Sequence, residues 1–100
     1  MFTIIRSISI AAGQQEAATK WAVEVAGYLN QAFPGHNIRA HREWFGTNGA
    51  IYWIAEHESL ADIEATRRKW FADSGYLNRL KESHTLFVAG SGRERVIEQL

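Results

Sequence analysis

Hydrophobic residues change their spacing along this chain, and that change constrains the fold more than any other feature of the sequence. From Gln14 to Ala32 the apolar residues recur at helical spacing, so we expect a helix there. The Pro and Gly of "FPG" at 33–35 should end it. In residues 2–10 apolar side chains instead recur at every second position, which predicts a half-buried strand with one face carrying Phe2, Ile4, Arg6, Ile8 and Ile10.

Two strands are predicted next, at about 38–45 and 50–57, with "GTNG" between them. Asn48 and Gly49 form the dipeptide that a type I′ hairpin turn favours, because both residues tolerate positive φ. With that turn, residues whose numbers sum to 97 lie opposite one another. The expected pairs are His41 with Glu56, Arg42 with Ala55, and Trp44 with Trp53.

A second helix should begin at Ser59, a good N-cap residue with Asp62 three positions later. One stripe of this helix is expected to carry Leu60, Ile63, Arg67, Trp70 and Phe71. "ADSG" breaks it, and residues 76–83 are expected to form another turn or two. Residues 84–89, "HTLFVA", are predicted to be the last strand, followed by "GSG" and an amphipathic tail, "RERVIEQL".

The element order β-α-β-β-α-β predicts an α+β, ferredoxin-like fold. In this fold a four-stranded antiparallel sheet carries two helices on one face. The other face would be bare in a single chain, and an exposed apolar face of that kind usually marks an interface. We therefore expect a homodimer through sheet-on-sheet packing, in which the bare face contributes Ile5, Phe45, Tyr52 and Ile54.

Length, charge and cysteine content exclude several classes of protein. One hundred residues fit one domain spanning 1–100. A formal net charge of zero gives no basic surface for nucleic acid. No apolar run approaches the length of a membrane span, and Arg6 interrupts the apolar N-terminus, so we expect no membrane association. The absence of cysteine fits a reducing, cytoplasmic location.

The segment "EHESLADIEATRRKWFADSGYLNRL" resembles the dimeric α/β barrel superfamily, in which a strand ends in an acidic turn and enters a helix with a Trp, then a Tyr six residues later. Some members are cofactor-independent antibiotic-biosynthesis monooxygenases, which oxidise aromatic polyketides between sheet and helices. The resemblance implies that Trp70 and Tyr76 stand at two of their three site positions, with Thr66 replacing an Asn. Haem-degrading relatives use positions that correspond to Arg6 and Leu80 here, and because Leu80 cannot ligate iron, the resemblance implies no haem or other cofactor.

Arg6 and Arg42 are expected on the otherwise apolar, helix-facing side of the sheet. A buried guanidinium is costly unless it has a partner. Either arginine could bind the carboxylate or enolate of a ligand in bidentate fashion. The alternative is a structural ion pair with a helix acid, or a side chain that reaches solvent at the sheet edge; the candidate acids are Glu24, Asp62 and Glu64.

Large aromatic residues could form the wall of a ligand pocket or could simply fill the core. Trp70 and Tyr76 are the strongest candidates for the pocket, and Trp44 and Trp53 are further candidates for substrate binding. Trp21 could also belong to this wall.

His57 is expected at the helix-facing end of its strand, where it could act as a catalytic base or be a plain polar strand end. His36 and His84 are expected to be exposed, and the histidine spacing suggests no metal site. The candidate catalytic residues are thus Arg6, His57, Trp70 and Tyr76. Two functions stay open: a small-molecule-binding protein with cofactor-independent monooxygenase or isomerase chemistry on an aromatic or carboxylated substrate, and a non-catalytic dimerisation or binding module.

Overall fold

The computed structural model describes residues 1–46 and 49–100. Within them the elements are β1 (Phe2–Ser9), α1 (Gln15–Ala32), β2 (Arg39–Arg42), β3 (Ala50–His57), α2 (Leu60–Phe71), α3 (Ser74–Glu82) and β4 (Arg93–Glu98). The strands form an antiparallel sheet in the order β2-β3-β1-β4. This confirms the ferredoxin-like α+β fold, with α3 as an additional helix between α2 and the last strand.

The core lies between α1 and the helix-facing side of the sheet. Val25, Ala26 and Leu29 of α1 pack against buried Ile38 and Ala55. The predicted alternation of the strands is confirmed, because this core also receives the partly buried side chains Ile4, Ala40 and Trp53. Burying each of the larger apolar side chains stabilises the fold by roughly 1.5–3 kcal/mol relative to leaving it exposed.

The last strand is not where the sequence pattern placed it. Residues 84–89 form no strand beyond an isolated bridge between Ile10 and Phe87, and β4 is instead formed by Arg93–Glu98. Every residue of β4 is exposed, and charged side chains on an edge strand protect it from pairing with other chains. The same charges lower its apparent β-propensity, which is why the segment looked like an amphipathic tail.

The register of the β2–β3 pair also differs from the prediction. Arg42 lies opposite Ile51 and His41 opposite Tyr52, so the paired residue numbers sum to 93 and not to 97. The reason is that β2 ends at Arg42, and a longer connection leads to Ala50. The predicted Asn48–Gly49 turn includes residue 48, which lies outside the described residues.

The longer connection moves two aromatic side chains away from their expected positions. Trp44 does not face Trp53, whose partner is Ala40. Phe45 does not lie on the bare sheet face within a strand, and it is 94% exposed in the connection. The predicted and observed sums of paired residue numbers, 97 and 93, differ by an even number. The residues that remain in β2 therefore keep the sheet face that the sequence predicted.

Both C-terminal helices begin with a side-chain cap. Ser59 Oγ accepts a hydrogen bond from the Asp62 backbone N–H at 3.0 Å, as predicted. Asp73 Oδ2 caps α3 by accepting from the Tyr76 backbone N–H at 2.9 Å, and it also accepts from the Tyr28 hydroxyl at 2.6 Å. Asp73 therefore fixes α3 to α1 as well as starting it.

Candidate functional site

Two adjoining cavities lie between the sheet and the helices. The larger, about 330 Å³, is mainly apolar, and we call it the aromatic cavity. The smaller, about 100 Å³, contains most of the polar side chains, and we call it the polar cavity. They share a wall that consists of Arg6, Ile38, Trp53, Trp70, Phe71 and Tyr76.

Edge-to-face aromatic contacts define the aromatic cavity. The ring centroids of Trp21 lie 6.0 Å from Trp53 and 5.5 Å from Phe87, within the range that such pairs favour. Each indole N–H is bonded to a backbone carbonyl: Trp21 donates to Arg79 at 3.1 Å, and Trp53 to Ala22 at 3.1 Å. A cavity of about 150 Å³ can hold benzene, so the aromatic cavity has room for a ring with substituents.

A cluster of three charges stands where the cavities meet. Arg6 Nη1 lies 3.4 Å from Glu94 Oε2, and Arg67 contacts the other oxygen of the same carboxylate. Two guanidinium groups therefore share one acid, which leaves an excess positive charge facing the shared wall. The Arg6 side chain is 55% exposed.

The partner of Arg6 differs from the expected ones. Arg6 pairs with Glu94, which is a strand acid and not one of the expected helix acids. Glu94 lies directly opposite Arg6 on the neighbouring strand β4. The sequence prediction missed Glu94 because it assigned the last strand to residues 84–89. Arg67 lines the polar cavity from α2, together with Ile63, Trp70 and Phe71 of the predicted stripe.

Tyr76 lies on the shared wall beside this cluster. Burial raises the pKa of its phenol, while the charges of Arg6 and Arg67 lower it and that of Glu94 raises it. The net effect is a raised pKa, so the phenol stays protonated near neutral pH and can donate a hydrogen bond. Its ring centroid lies 6.0 Å from that of Trp70.

His57 and Asp62 form a dyad at the end of the polar cavity. The His57 side chain is buried, and its Nδ1 lies 2.9 Å from Asp62 Oδ2. Because an ionised carboxylate only accepts hydrogen bonds, Nδ1 carries the proton in the neutral ring and Nε2 keeps the lone pair. The Asp62 carboxylate contacts His57 and so does not complete a capping box with Ser59. Buried Thr66, one turn further along α2, adds a hydroxyl to the same cavity.

His36 is a site residue that the sequence prediction missed. It is half-buried in the loop between α1 and β2, not exposed as expected. Its Nδ1 accepts a hydrogen bond from Trp70 Nε1 at 3.3 Å, and its ring lies 6.3 Å from the ring of His57. No local signal marks His36, because the residues it contacts are distant in sequence.

Most of the predicted site residues are brought together. Arg6, His57, Trp53, Trp70 and Tyr76 all line the polar cavity. Arg42 and Trp44 do not line either cavity, because β2 ends early; Arg42 is exposed at its end, and Trp44 is 77% exposed beyond it. Their predicted role in substrate binding has no support in the single chain.

Within residues 1–46 and 49–100, no group of three His, Cys, Asp or Glu side chains converges as metal ligands. None of the helices in these ranges is both long enough and apolar enough to cross a bilayer. The polar cavity offers imidazole, hydroxyl, phenol and guanidinium groups, a set suited to binding an anion and moving a proton.

Comparisons with known proteins identify relatives by fold. No protein-family model and no curated protein matches the sequence. An uncharacterized NIPSNAP domain protein from Burkholderia xenovorans has a TM-score of 0.84 and 13% identity, with 100% of this chain and 95% of that one covered. A protein from Agrobacterium tumefaciens, described in a second crystal structure as a NIPSNAP family protein with unknown function, has a TM-score of 0.83 and 20% identity, with 100% and 94% covered.

An antibiotic biosynthesis monooxygenase is a further structural neighbour, with a TM-score of 0.72, 11% identity and coverage of 100% of this chain and 99% of that one. The NIPSNAP-domain and monooxygenase neighbours share the α+β fold of this chain. They confirm the fold that the resemblance in the sequence implied. At these identities the likeness shows a common fold.

Proposed function

We propose that this protein binds a small aromatic carboxylate between its sheet and helices. The ring would occupy the aromatic cavity, and the acidic group would face Arg6 and Arg67. The observation that carries the proposal is the position of Arg6, which is in the wall of an apolar cavity of about 330 Å³ and shares the Glu94 carboxylate with Arg67 of the polar cavity. A bound anion would balance the remaining positive charge.

The candidate chemistry is proton transfer without a cofactor. His57 Nε2 would take a proton from a carbon or hydroxyl of the ligand, and Asp62 would hold the imidazole in the required tautomer. The electron pair left on the ligand as an enolate would be stabilised by the arginines and the Tyr76 phenol. An isomerase would return the proton to another ligand atom. A cofactor-independent monooxygenase would add dioxygen to the enolate carbon and return the proton to the peroxide, which would lose water as its O–O bond breaks and leave a carbonyl on the ligand.

The second candidate is a non-catalytic binding module, and the Arg6–Glu94 ion pair favours it. An arginine that is already paired and 55% exposed is compatible with a purely structural role. Ligand binding distinguishes the two candidates, because a structural ion pair gives no reason for aromatic carboxylates to bind here.

We also propose that two copies pair through the bare sheet face. This face carries apolar Ile5, Tyr52 and Ile54 in neighbouring strands. The face also carries charges of both signs: Arg95 lies on it, and Glu43 Oε2 is a buried atom that has no hydrogen-bond partner among residues 1–46 and 49–100. The other oxygen of Glu43 accepts from the Tyr52 hydroxyl at 3.0 Å, so Glu43 is held beside Tyr52 at this face.

The proposed location is the cytoplasm, and the support for it is the absence of cysteine. Fractionation of cells that express a tagged chain would check this.

The binding proposal predicts that 2-naphthoate raises the melting temperature of the native protein. Arg6→Ala and Arg67→Ala should each weaken its binding by about tenfold, the loss expected for one charge-assisted hydrogen bond. Calorimetric titration and thermal unfolding with increasing ligand measure this directly. Arg68→Ala is the matched control, because Arg68 is the next residue along α2 and lines neither of the two cavities.

A pair of probes tests the two parts of the site separately. Cyclohexanecarboxylate keeps the acid but lacks the aromatic ring, and 2-naphthol keeps the rings but lacks the carboxylate; both should bind more weakly than 2-naphthoate. Equal binding of 2-naphthoate to Arg6→Ala and the native protein would remove Arg6 from the site. No stabilisation of the native protein by any aromatic carboxylate would leave the non-catalytic module as the better candidate.

A further inference from the structure

We propose that neutral His36 is a positioning residue of this site, which holds Trp70 in place as the partition between the aromatic and polar cavities. The hydrogen bond from Trp70 Nε1 to His36 Nδ1, 3.3 Å long, is the contact that does this. The effect on a ligand rests on the proposed function, but the effect on Trp70 does not. Both can be measured separately.

The His36 ring also contacts Phe33 of its own loop. It stacks on Phe33 with centroids 5.7 Å apart and planes 14° from parallel. Ile38, two residues after His36, is held by the Asn30 side chain of α1. The Ile38 backbone N–H donates to Asn30 Oδ1 at 2.7 Å, and the Ile38 carbonyl accepts from Asn30 Nδ2 at 2.9 Å. The loop therefore fixes the position of His36 Nδ1, and the Trp70 indole has to orient its N–H toward that acceptor.

Trp70 is the tryptophan whose indole N–H has a titratable acceptor. Trp21 and Trp53 donate to backbone carbonyls, which do not change protonation. Trp44 is 77% exposed outside the site. Trp70 lines both cavities, so its orientation decides how they are divided.

The charges around His36 oppose its protonation. His57 of β3 and Lys69 of α2 disfavour the charged ring, whereas Asp62 of α2 favours it. Burial lowers the pKa of His36 first, and His57 and Lys69 lower it further. Near neutral pH the ring is therefore uncharged and its Nδ1 can accept the indole proton.

Protonation would reverse this contact, because both nitrogens of an imidazolium are donors. The Trp70 hydrogen bond would be lost and the indole released. Since the folded state holds the pKa below the usual value of about 6.5, His36 contributes stability that is complete above that pH. That contribution is lost as the pH falls through the lowered pKa.

The test follows the indole N–H signals of the ligand-free protein by ¹⁵N–¹H NMR while the pH falls from about 7.5 to about 5. Trp70→Phe assigns the Trp70 signal by its disappearance. We expect this signal to titrate with a midpoint below about 6.5, while those of Trp21 and Trp53 stay in place. A Trp70 signal that does not titrate in the native protein would overturn the proposal.

Two substitutions separate His36 from the other histidines. His36→Gln retains a side-chain acceptor that does not titrate, so the Trp70 signal should stay near its neutral-pH position throughout; His36→Asn gives a second chance if His36→Gln does not fold. His41→Gln, an exposed histidine on the far sheet face, is the matched control and should titrate like the native protein. A titration that persists in His36→Gln would assign the effect to His57 and overturn the role of His36.

The ligand arm uses 2-naphthoate, whose carboxyl group should stay ionised across most of this range. Its dissociation constant should rise by about tenfold between pH 7.5 and pH 5.5 in the native protein and stay level in His36→Gln, as expected for the loss of one hydrogen bond. If the Trp70 signal titrates but 2-naphthoate never binds, the proposed function fails and the role of His36 is upheld. If 2-naphthoate binds with no change between these pH values, control of the site by His36 is refuted.

Discussion

Ile54→Lys is expected to convert the proposed dimer into single chains. Ile54 lies on an inner strand of the sheet and directly opposite Ile5, at the centre of the bare face. A lysine there would place a charge in the middle of an apolar interface and next to Arg39, which lies directly opposite Ile54 on the neighbouring strand β2. Burying an unpaired charge is strongly unfavourable. We expect the dimer dissociation constant to rise by at least about a hundredfold, as at a central hot spot.

Analytical ultracentrifugation over a concentration series measures this effect. Val23→Lys is the control, because Val23 is an apolar residue of α1 that is 62% exposed and lies on a helix, away from the bare face. The control should sediment as the native protein does. If the native protein sediments as a single chain at every concentration, sheet-on-sheet pairing is wrong, and if Ile54→Lys remains a dimer, the interface lies elsewhere.

Gly75→Ala is expected to destabilise the fold by about 1–3 kcal/mol, the usual cost of overpacking. A Cβ at this position would overlap the Tyr28 hydroxyl oxygen and lie 2.6 Å from the ring carbon that bears it. The Tyr28 side chain cannot move away freely, because its hydroxyl donates to Asp73 and Arg79 stacks on its ring at 3.8 Å from the centroid. The substitution therefore breaks the contact that joins α3 to α1.

Gly27→Ala provides a matched control on α1, because a Cβ there would meet no atom within 4 Å. Alanine is the better helix former, so this variant should be more stable by up to about 1 kcal/mol. Urea unfolding of the two variants should give shifts of opposite sign. Equal stabilisation by both substitutions would show that the Tyr28 side chain can move away with no loss of stability, and that the α1–α3 contact is not tightly packed.

The Gly75 prediction also bears on the candidate site. Tyr76 follows Gly75 directly, and its backbone N–H is bonded to Asp73 at 2.9 Å. Displacing Tyr28 from Asp73 would disturb the start of α3 and with it the ring of Tyr76 on the shared wall. We therefore expect Gly75→Ala to weaken binding of 2-naphthoate as well, whereas Gly27→Ala should not.

Local spacing in the sequence was sufficient for the elements from β1 to α2 and for the faces of the residues that lie in β1, β2 and β3. Alternation in β1 and helical spacing in α1 depend on neighbours within a few residues, so both can be recognised without the partner. The same reasoning gave Ser59 as the cap of α2. Trp70 and Tyr76 were expected in one wall because of the resemblance and the size of their side chains. A one-residue slip would have moved every side chain of a strand to the other face. The predicted and observed sums, 97 and 93, differ by an even number, so the assignment of faces survived the error of register.

The last strand, the β2–β3 register and the charged part of the site were decided by long-range pairing. Arg93–Glu98 becomes a strand because β1 has an open edge for it, not because its own residues favour one. That pairing brings Glu94 to Arg6 and Arg67, which no local pattern indicates.

His36 shows the same division most clearly. The sequence shows a histidine after a Pro–Gly turn, and nothing nearby suggests that it is buried. Trp70 is far along the chain and reaches His36 only because α2 packs over the end of the first helix–strand connection. Spacing along a chain indicates the face on which a side chain lies. The partner of that side chain depends on how distant segments pack, because the two groups gain the free energy of their contact only when those segments are brought together.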